Sequence, residues 1–544
     1  MARFRIAVLD PIAEEGLEML RAEQQDFEYQ EVHGLKGDDL RKTLAEFDGA
    51  IVRSGVKITA ESLEGNKRLR AIVRAGVGTD NIDKDAATRL GIVVMNTPAG
   101  NTLSTAEHAF ALMLALSRSI APAYQSLING KWDRKSYMGT QLADKTLGVV
   151  GFGRIGREVA LRALAFRMRV IAFDPFLSEE QAHKLGIERV DTVAQMLPKV
   201  DYLTVHTPLT NETKHLIGMK ELDIVKPGIR LINCARGGIY DEAALVAGLK
   251  NGKIGGVALD VFEEEPCTKS ELFGMPGVVC TPHLGASTEE AQTQVAIEGI
   301  QLLINFFKTG EIRHAVNAGS LDPKTLEVLR GHLNVAYRLG LLLSQWHGGA
   351  IGSCHLTYRG EVADRDTKLL TAAFCAGLLE RAMTEQPNIV NAEMLLRERG
   401  IELTDHRSRE TGAFSSTITA EVRGGGVSVK AAGTLFGHNM PRLVLCDDYR
   451  LEAYMDGTLL FFTHSDVPGI IGRVGTVFGQ HQVNIAQMAV GRAGDHPGGK
   501  AVGILNLDSS PPQAALDEMA EIAAIERWKV IELPGAGEMP PWLR

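Results

Sequence analysis

The chain has 544 residues, which is too long for one hydrophobic core and indicates about three or four domains. Its composition, 45% hydrophobic and 23% charged residues, is that of an ordinary globular protein. The formal net charge of −9 supplies no basic excess for holding phosphates, so we expect no nucleic-acid partner.

The cysteines and the apolar runs constrain the compartment. No two of the 6 cysteines have the C-x-x-C spacing of a metal knuckle or a redox dithiol, so we expect no metal site. The opening residues lack the apolar core of a signal peptide, and no apolar run is long enough to cross a bilayer. We therefore expect a cytoplasmic protein with reduced cysteines and no membrane partner.

Several short apolar runs near the start predict buried strands. They are Phe4 to Leu9, "GAIVRSG", "LRAIVRAGVGTDN" and "GIVVMNTP", and a helical pattern follows the first of them. Strands that alternate with helices favour a parallel sheet covered on both faces. The next stretch, "STAEHAFALMLALSRSI", predicts a helix capped by Ser104 or Thr105, and apolar residues on nearly every side of it predict burial.

A second α/β region begins near Lys145. Its β-rich runs are spaced by helical segments and read "MRVIAFDP", "VDYLTVHTPL", "IRLINCARGG", "IGGVALDVF" and "GVVCTPHLGAS". A long amphipathic helix is predicted from about Glu289 to about Lys308. The two α/β regions together predict two Rossmann-like, doubly wound domains.

The pattern changes beyond Asn317. Alternating strands in "SCHLTYRGEV", "SSTITAEVRGGGVSVKAAGTLF" and "PRLVLCDDYRLEAYMDG" surround a helical block from Lys368 to Arg399 and predict an α+β module with an antiparallel sheet. From about Thr458 the predicted order is β-α-β-β-α-β, which is that of a ferredoxin-like unit. The tail, "PGAGEMPPWLR", is expected to be disordered or docked on a neighbour.

The stretch "VVGFGRIGREVA" predicts a dinucleotide site. Gly151, Gly153 and Gly156 form G-x-G-x-x-G directly after a strand and at the start of a helix. The next strand ends at Asp174, close to the distance of about 20 residues at which the fingerprint expects an acid. The glycines permit a tight turn, close approach of the pyrophosphate and close helix packing. Asp174 would bind the ribose hydroxyls, which favours NAD over NADP, although Arg154 could reach a phosphate.

A cofactor that carries hydride needs a partner group that moves a proton. Arg236, Glu265 and His283 each follow a predicted strand, and ligands of open α/β sheets bind at the carboxyl ends of strands. An arginine can grip a carboxylate, and a histidine steadied by a glutamate can exchange a proton near neutral pH. Spacing alone leaves the choice open among Glu263, Glu264 and Glu265.

These stretches resemble the D-isomer-specific 2-hydroxyacid dehydrogenases, and within them the long forms that oxidise D-3-phosphoglycerate. The matching strings are "RAGVGTDNID", "NTPAGNTLSTAEH", "KWDRKSYMGTQL", "GFGRIGREVA", "VHTPLT", "NCARGGIYDE", "ALDVFEEEP" and "PHLGAST". The resemblance implies that Arg236, Glu265 and His283 are the catalytic residues. It also implies an NAD site formed by Val77, Gly151, Gly153, Arg154, Ile155, Gly156, Asp174, Thr207, Pro208, Cys234, Ala235, Arg236, Asp260, His283, Gly285 and Ala286.

A phosphorylated substrate needs cations. Substrate contacts are expected from Arg53, Ser54, Arg74 and Gly76, and from Arg134 and Lys135, which could reach over from a second subunit. The alternative for each charged residue is an ordinary solvated surface charge. A glyoxylate or hydroxypyruvate reductase would need neither such phosphate contacts nor a serine sensor. An NAD-sensing corepressor on the same fold would use cofactor binding as a switch and would need an exposed partner groove. Both remain alternative functions.

The last region resembles an ACT domain over "HSDVPGIIGRVGTVFGQHQVNIAQM". The resemblance implies an L-serine effector, with His464, Asp466 and Asn484 as candidate ligands, and a homo-oligomer, either a dimer or a tetramer. A module for oligomerisation alone is the alternative. The expected domains are 1–98 with 289–318 for substrate, 99–288 for NAD, 319–455 for an intervening domain and 456–534 for the ACT domain.

Overall fold

A computed structural model describes residues 3–319, 321–383, 387–410, 412–494 and 498–543. The chain divides into two compact units. The first unit contains Met1–Pro11, Leu17–Asn96 and Gly299–Arg544, and the second contains Ile12–Gly16 and Thr97–Glu298. Among the described residues, no helix is long and apolar enough to cross a membrane.

The first unit opens with a five-stranded parallel sheet of order β2-β1-β3-β4-β5. The elements are β1 (Phe4–Val8), α1 (Glu14–Ala22), β2 (Phe27–Glu31), α2 (Gly37–Leu44), β3 (Gly49–Val52), α3 (Ala60–Leu63), β4 (Ala71–Arg74), α4 (Lys84–Arg89) and β5 (Val93–Asn96). The whole of β3 is buried, because apolar side chains cover both of its faces.

The second unit contains a seven-stranded parallel sheet of order β12-β11-β10-β9-β6-β7-β8. Its elements are α5 (Thr102–Ser117), α6 (Ile120–Ile128), β6 (Thr146–Val150), α7 (Arg154–Ala165), β7 (Arg169–Phe173), α8 (Glu179–Leu185), β8 (Glu188–Arg189), α9 (Val193–Met196), β9 (Tyr202–Val205), β10 (Ile229–Asn233), α10 (Glu242–Lys250), β11 (Ile254–Leu259) and β12 (Val278–Cys280). The strand order reverses at β6, where doubly wound sheets bind ligands. The predicted long helix is α11 (Glu289–Thr309).

The predicted start of α5 is wrong. The helix begins at Thr102, and the preceding Asn101 makes no capping hydrogen bond with its side chain. Ser104 instead shares a hydrogen bond of 2.7 Å with the Thr288 hydroxyl. The stretch also holds less helix than predicted, since α5 ends at Ser117 and α6 follows it.

The next module of the first unit is a six-stranded sheet of order β14-β13-β15-β16-β17-β18. The elements are α12 (Pro323–His347), β13 (Ser353–Gly360), α13 (Thr367–Leu379), α14 (Ala392–Glu398), β14 (Glu402–Ser408), β15 (Ser416–Gly424), β16 (Val427–Phe436), β17 (Met440–Cys446) and β18 (Tyr449–Tyr454). The sequence analysis missed α12 and β14. It also predicted one helical block where the structure has α13 and α14, and β13 pairs parallel to β14 within an otherwise antiparallel sheet.

The predicted β-α-β-β-α-β order of the last region is confirmed. The elements are β19 (Thr458–Ser465), α15 (Ile470–Gln480), β20 (Ile485–Arg492), β21 (Lys500–Leu507), α16 (Gln513–Ala520) and β22 (Ile525–Glu532), in a sheet of order β20-β21-β19-β22. Trp346 of α12 stacks near Phe461 of β19, with ring centroids 5.5 Å apart. The tail docks on its own chain, since Arg338 of α12 donates to the carbonyl oxygens of Pro534, Gly535 and Glu538.

Candidate active site

The three glycines of the fingerprint do three different things. Gly151 has a φ of +87°, and a Cβ there would lie 2.5 Å from the carbonyl oxygen of His206. A Cβ on Gly156 would lie 2.0 Å from the carbonyl oxygen of Gly151, so the third glycine brings α7 against the loop. A Cβ on Gly153 would meet no protein atom within 4 Å. Glycine at 153 therefore leaves space that the fold itself does not use.

That space lies at the start of α7, where the free N–H groups of a helix N-terminus favour an anion. Gly153 is the N-cap residue and offers no side chain to the helix. Arg154 is exposed, whereas Ile155 is partly buried against the core. The space beside Gly153 and the free N–H groups at the start of α7 together fit the pyrophosphate of a dinucleotide.

Asp174 follows β7 directly and braces the glycine loop. Its carboxylate accepts hydrogen bonds from the Phe152 N–H at 2.7 Å and the Phe176 N–H at 2.8 Å. The side chain is half-buried, so the other lone pairs of the two oxygens remain available to ribose hydroxyls. An acid at this position fits a dinucleotide without a 2′-phosphate.

The other expected NAD residues of the second unit follow β9, β10, β11 and β12. Thr207 has a buried hydroxyl oxygen with no hydrogen-bond partner among the described residues, and Pro208 is exposed beside it. Cys234 is buried, and burial raises the pKa of its thiol well above the usual value. Ala235 and Ala286 are half-buried. Val77 lies in the first unit, where its carbonyl oxygen accepts from Asn96 Nδ2 at 2.6 Å.

Asp260 organises the segment that carries His283, the predicted catalytic histidine. Its side chain is fully buried after β11 and accepts from the Thr281 hydroxyl at 2.6 Å and from the N–H groups of Leu284 and Gly285 at 2.7 and 2.8 Å. His108 of α5 adds a contact of 3.2 Å. Burial opposes ionisation, but these hydrogen bonds hold the pKa of Asp260 below its usual value. Asp260 therefore fixes the conformation of the segment from Thr281 to Gly285 from a buried position.

The predicted catalytic histidine and glutamate are adjacent. His283 Nδ1 and Glu265 Oε2 lie 2.8 Å apart, and the other carboxylate oxygen accepts from the Phe262 N–H at 3.0 Å. Glu263 is engaged elsewhere, with the N–H of Glu242. The geometry thus selects the third glutamate of "EEE" as the partner of the imidazole. His283 has a φ of +56°, an uncommon conformation for a side-chain-bearing residue.

The contact between His283 and Glu265 changes the pKa of both side chains. The hydrogen bond with Glu265, reinforced by the carboxylate charge, raises the pKa of His283, while burial and the charge of Arg236 oppose the rise. Burial favours neutral Glu265, but its hydrogen bonds with His283 and the Phe262 N–H lower its pKa. The pair suits a proton-exchanging imidazole, because Nε2 of His283 has no hydrogen-bond partner among the residues that the structure covers and is available to a substrate.

Arg236 lies in the loop after β10, within electrostatic reach of His283. Asn233 fixes that loop, because its side chain accepts from the Ala235 N–H at 2.9 Å and donates to the Arg236 carbonyl at 2.8 Å. A Cβ on Gly237 would lie 1.7 Å from the Phe262 carbonyl oxygen, so glycine lets this loop approach the loop after β11. The arrangement brings arginine, glutamate and histidine to one edge of one sheet.

The expected substrate residues of the first unit lie at the carboxyl ends of β3 and β4 or just after them. Arg53 is half-buried and Ser54 is exposed. Arg74 donates to the carbonyl of Ala75 at 3.0 Å. Gly76 has a φ of +146°, and a Cβ there would lie 1.3 Å from Arg74 Nη1. Glycine at 76 therefore lets the Arg74 guanidinium fold over the loop.

Arg134 and Lys135 lie in an exposed segment of the second unit. The Lys135 N–H donates to the Asp133 carboxylate at 3.0 Å, which fixes the turn but not the long side chains. Neither the Arg134 guanidinium nor the Lys135 amine makes a hydrogen bond or an ion pair with any residue that the structure describes.

The expected effector residues do not form one pocket within one chain. Asp466 pairs with Arg492 at the end of β20, with Nε and Oδ2 2.8 Å apart. Asn484 precedes the start of the same strand and donates to Asp508 at 2.6 Å. A strand of that length separates its two ends by roughly 20 Å. His464 is buried, and its Nδ1 lies 2.8 Å from the Ser465 carbonyl oxygen.

Two polar residues of the α5 region, His108 and Asn101, are absent from the site that the sequence predicts. His108 supports Asp260 from α5, and no local pattern could reveal a contact over that sequence distance. Asn101, at the N-terminal end of α5, has a buried side-chain oxygen without a hydrogen-bond partner among the described residues. The sequence marks Asn101 by its position before a helix in the string "NTPAGNTLSTAEH".

Comparison with known proteins defines the class. Residues 110–285 match the model of the D-isomer specific 2-hydroxyacid dehydrogenase NAD-binding domain. A glyoxylate reductase from Paecilomyes thermophila shares this fold, with 30% identity and a TM-score of 0.54 over 58% of this chain and 99% of that one. The second unit therefore has the fold of the NAD-binding domain of a 2-hydroxyacid dehydrogenase.

The remaining domains narrow the assignment. Residues 328–447 match the D-3-phosphoglycerate dehydrogenase intervening domain, and residues 458–524 match the ACT domain. D-3-phosphoglycerate dehydrogenase from Archaeoglobus fulgidus is 40% identical over 97% of this chain and 100% of its own length. The Bacillus subtilis protein of the same name is 38% identical over 98% and 100%. The chain belongs to the D-3-phosphoglycerate dehydrogenase family.

Proposed function

We propose that the chain catalyses the NAD-dependent oxidation of D-3-phosphoglycerate to 3-phosphohydroxypyruvate, the first step of the phosphorylated route to L-serine. The contact of 2.8 Å between His283 Nδ1 and Glu265 Oε2, beside Arg236 and on the sheet with the glycine loop, carries the proposal. Family membership and the intervening and ACT domains support it over a glyoxylate or hydroxypyruvate reductase. The Arg–Glu–His set disfavours a corepressor, which needs no proton-moving group.

The residues divide the chemistry among them. Bound NAD supplies the hydride acceptor. Arg236 holds the substrate carboxylate and the oxygen on C2 through its planar donors. His283 takes the hydroxyl proton on Nε2, and the hydride leaves C2 as the C2–O bond becomes a carbonyl. Glu265 fixes the imidazole through Nδ1–H and stabilises the imidazolium that forms. In the reverse direction the imidazolium returns the proton.

The cations of the first unit account for a phosphorylated substrate. Arg53 and Ser54 lie in the loop after β3, Arg74 is the last residue of the adjacent strand β4, and Gly76 lies in the loop after β4. We assign the phosphate to these loops, and we keep Arg134 and Lys135 as contacts that a second subunit would supply. Asp174 accounts for a preference for NAD over NADP, because its carboxylate would repel a 2′-phosphate.

The ACT domain supports a small-molecule effector, for which we propose L-serine. Asp466 and Asn484 lie at opposite ends of β20. An effector that contacts both residues must therefore bind between two copies of the ACT domain whose β20 strands run antiparallel. Exposed apolar side chains on and after α6, including Tyr124 at 63% and Trp132 at 81% exposure, also support a homo-oligomer. A dimer or a tetramer fits both features, and we propose that the protein works in the cytoplasm.

One assay tests the proposal. NADH absorbance is followed with D-3-phosphoglycerate, D-glycerate and D-lactate, with NAD or NADP, and with or without L-serine. We expect turnover with D-3-phosphoglycerate and NAD, and its inhibition by L-serine. Preference for an unphosphorylated acid would contradict the assigned substrate, and preference for NADP would contradict the role of Asp174.

A further inference from the structure

The loop that carries Arg53 and Ser54 is held by two side chains from other parts of the first unit. Asp10, 8% exposed, follows β1, and one carboxylate oxygen accepts from the N–H of Arg53 at 2.7 Å and of Val56 at 3.3 Å. Both N–H groups of the turn that point inward are thus bound by one buried acid.

Asn81 binds the carbonyl groups of the same two residues. Its Nδ2 donates to the carbonyl oxygens of Arg53 and Val56, each at 2.7 Å. Asp10 therefore accepts from the turn and Asn81 donates to it, so four backbone groups at its two ends are matched by two side chains. This chemistry is specific, because neither side chain could replace the other without a loss of hydrogen bonds.

Gly55 shows how closely the acid approaches. A Cβ at this position would lie 2.3 Å from Asp10 Oδ1, so the turn accommodates the carboxylate only with glycine there. The outward groups are left for a ligand: among the described residues, the N–H groups of Ser54 and Gly55 have no hydrogen-bond acceptor. The Arg53 guanidinium donates to the Pro11 carbonyl oxygen at 3.3 Å and makes no other hydrogen bond within the described part of the chain.

We propose that Asp10 and Asn81 are positioning residues that hold the turn 53–56 ready for the phosphate of the substrate; this inference rests on the proposed function. Neither residue touches the substrate. Their contribution is to fix the turn before binding, so that its ordering costs no binding energy. Asp10 and Asn81 together form a clamp on the turn. Loss of either residue of this clamp should therefore weaken binding of the phosphorylated substrate more than it slows the chemical step.

The test compares Asp10→Ala, Asn81→Ala and the conservative Asp10→Asn with the unmodified chain. We expect the two alanine variants to raise KM for 3-phosphohydroxypyruvate by about tenfold or more, with kcat changed by less than about threefold. KM for unphosphorylated hydroxypyruvate and the Kd of NADH should stay unchanged. Asp10→Asn should recover most of the loss, because an amide oxygen can accept the same N–H groups.

Asp83→Ala is the matched control. Asp83 lies two residues from Asn81 and caps α4 by accepting from the Ala86 N–H at 2.9 Å, so its loss lowers the melting temperature without touching the turn. Amide exchange of residues 53–56, measured by mass spectrometry, should accelerate in both clamp variants and not in this control.

The outcomes separate the two proposals. Faster exchange with an unchanged KM for the phosphorylated substrate, or an equal rise of KM for both substrates, would overturn the positioning role. Unchanged exchange in both alanine variants would overturn the clamp itself. A parent chain that turns over neither phosphorylated compound would contradict the proposed function, while the exchange data would still decide whether the clamp exists.

Discussion

His283 and Glu265 share a contact of 2.8 Å at the carboxyl edge of the seven-stranded sheet, and the contact raises the pKa of the imidazole. Oxidation needs the neutral base, so activity in that direction should fall as the pH drops below this raised pKa. Reduction needs the imidazolium and should fall as the pH rises above it.

Glu265→Gln tests this dependence. Without the carboxylate charge, the pKa of His283 should fall toward its ordinary value of about 6.5. The acid limb for oxidation and the basic limb for reduction should both move to lower pH, and kcat should fall by about tenfold or more. The measurement is the pH profile of kcat in both directions. Unmoved limbs would show that another group titrates.

Gly153→Ala and Gly156→Ala form a matched pair. A Cβ at 153 meets no protein atom, so that variant should keep its stability and bind NADH at least about tenfold more weakly. A Cβ at 156 would lie 2.0 Å from the Gly151 carbonyl oxygen, so that variant should unfold more easily. Thermal unfolding and NADH fluorescence titrations separate the two effects. Equal effects on both quantities would contradict the separate roles.

Asp260→Asn should destabilise the second unit by about 2–4 kcal/mol, because an amide cannot satisfy all the donors that face the buried carboxylate. The pKa of Asp260 is lowered in the folded state, so its stabilisation is complete above the unfolded pKa of about 3.9 and is lost as the pH falls through the folded pKa. Urea unfolding at neutral and acidic pH measures this. His108→Ala, which removes one contact, should cost only about 1 kcal/mol.

Arg338→Lys should release the C-terminal tail. The guanidinium is 1% exposed and donates to five acceptors, in Asn334, Met455, Pro534, Gly535 and Glu538. A lysine has only three donors on one atom, so we expect faster proteolysis of the tail and a loss of about 2–4 kcal/mol. Arg330→Ala, whose parent side chain reaches the Leu543 carbonyl at 3.4 Å, is the control and should change little. Equal protection of the tail in both variants would contradict the anchoring role.

The sequence predicts features that local spacing defines. The glycine loop and Asp174 were found because a strand, a turn and a helix specify them within a short stretch. The long helix α12 is also marked locally, because Asp322 caps it and it begins at Pro323.

Features that depend on tertiary contacts could not be predicted. The choice of Glu265 from "EEE" follows from where β12 ends relative to β11, and the support of Asp260 by His108 joins residues far apart in sequence. The separation of Asp466 from Asn484 follows from the antiparallel pairing of β20 with β21. The predicted β-α-β-β-α-β order is compatible with this pairing, but it does not specify which residues lie at the same end of the sheet.

The most direct measurement is the turnover of His283→Ala with D-3-phosphoglycerate and NAD, together with its affinity for NADH. The account predicts that kcat falls by at least about 100-fold because the proton acceptor is gone, while the Kd of NADH stays within about threefold. Turnover that survives the substitution would contradict the assignment of the imidazole as the group that moves the proton.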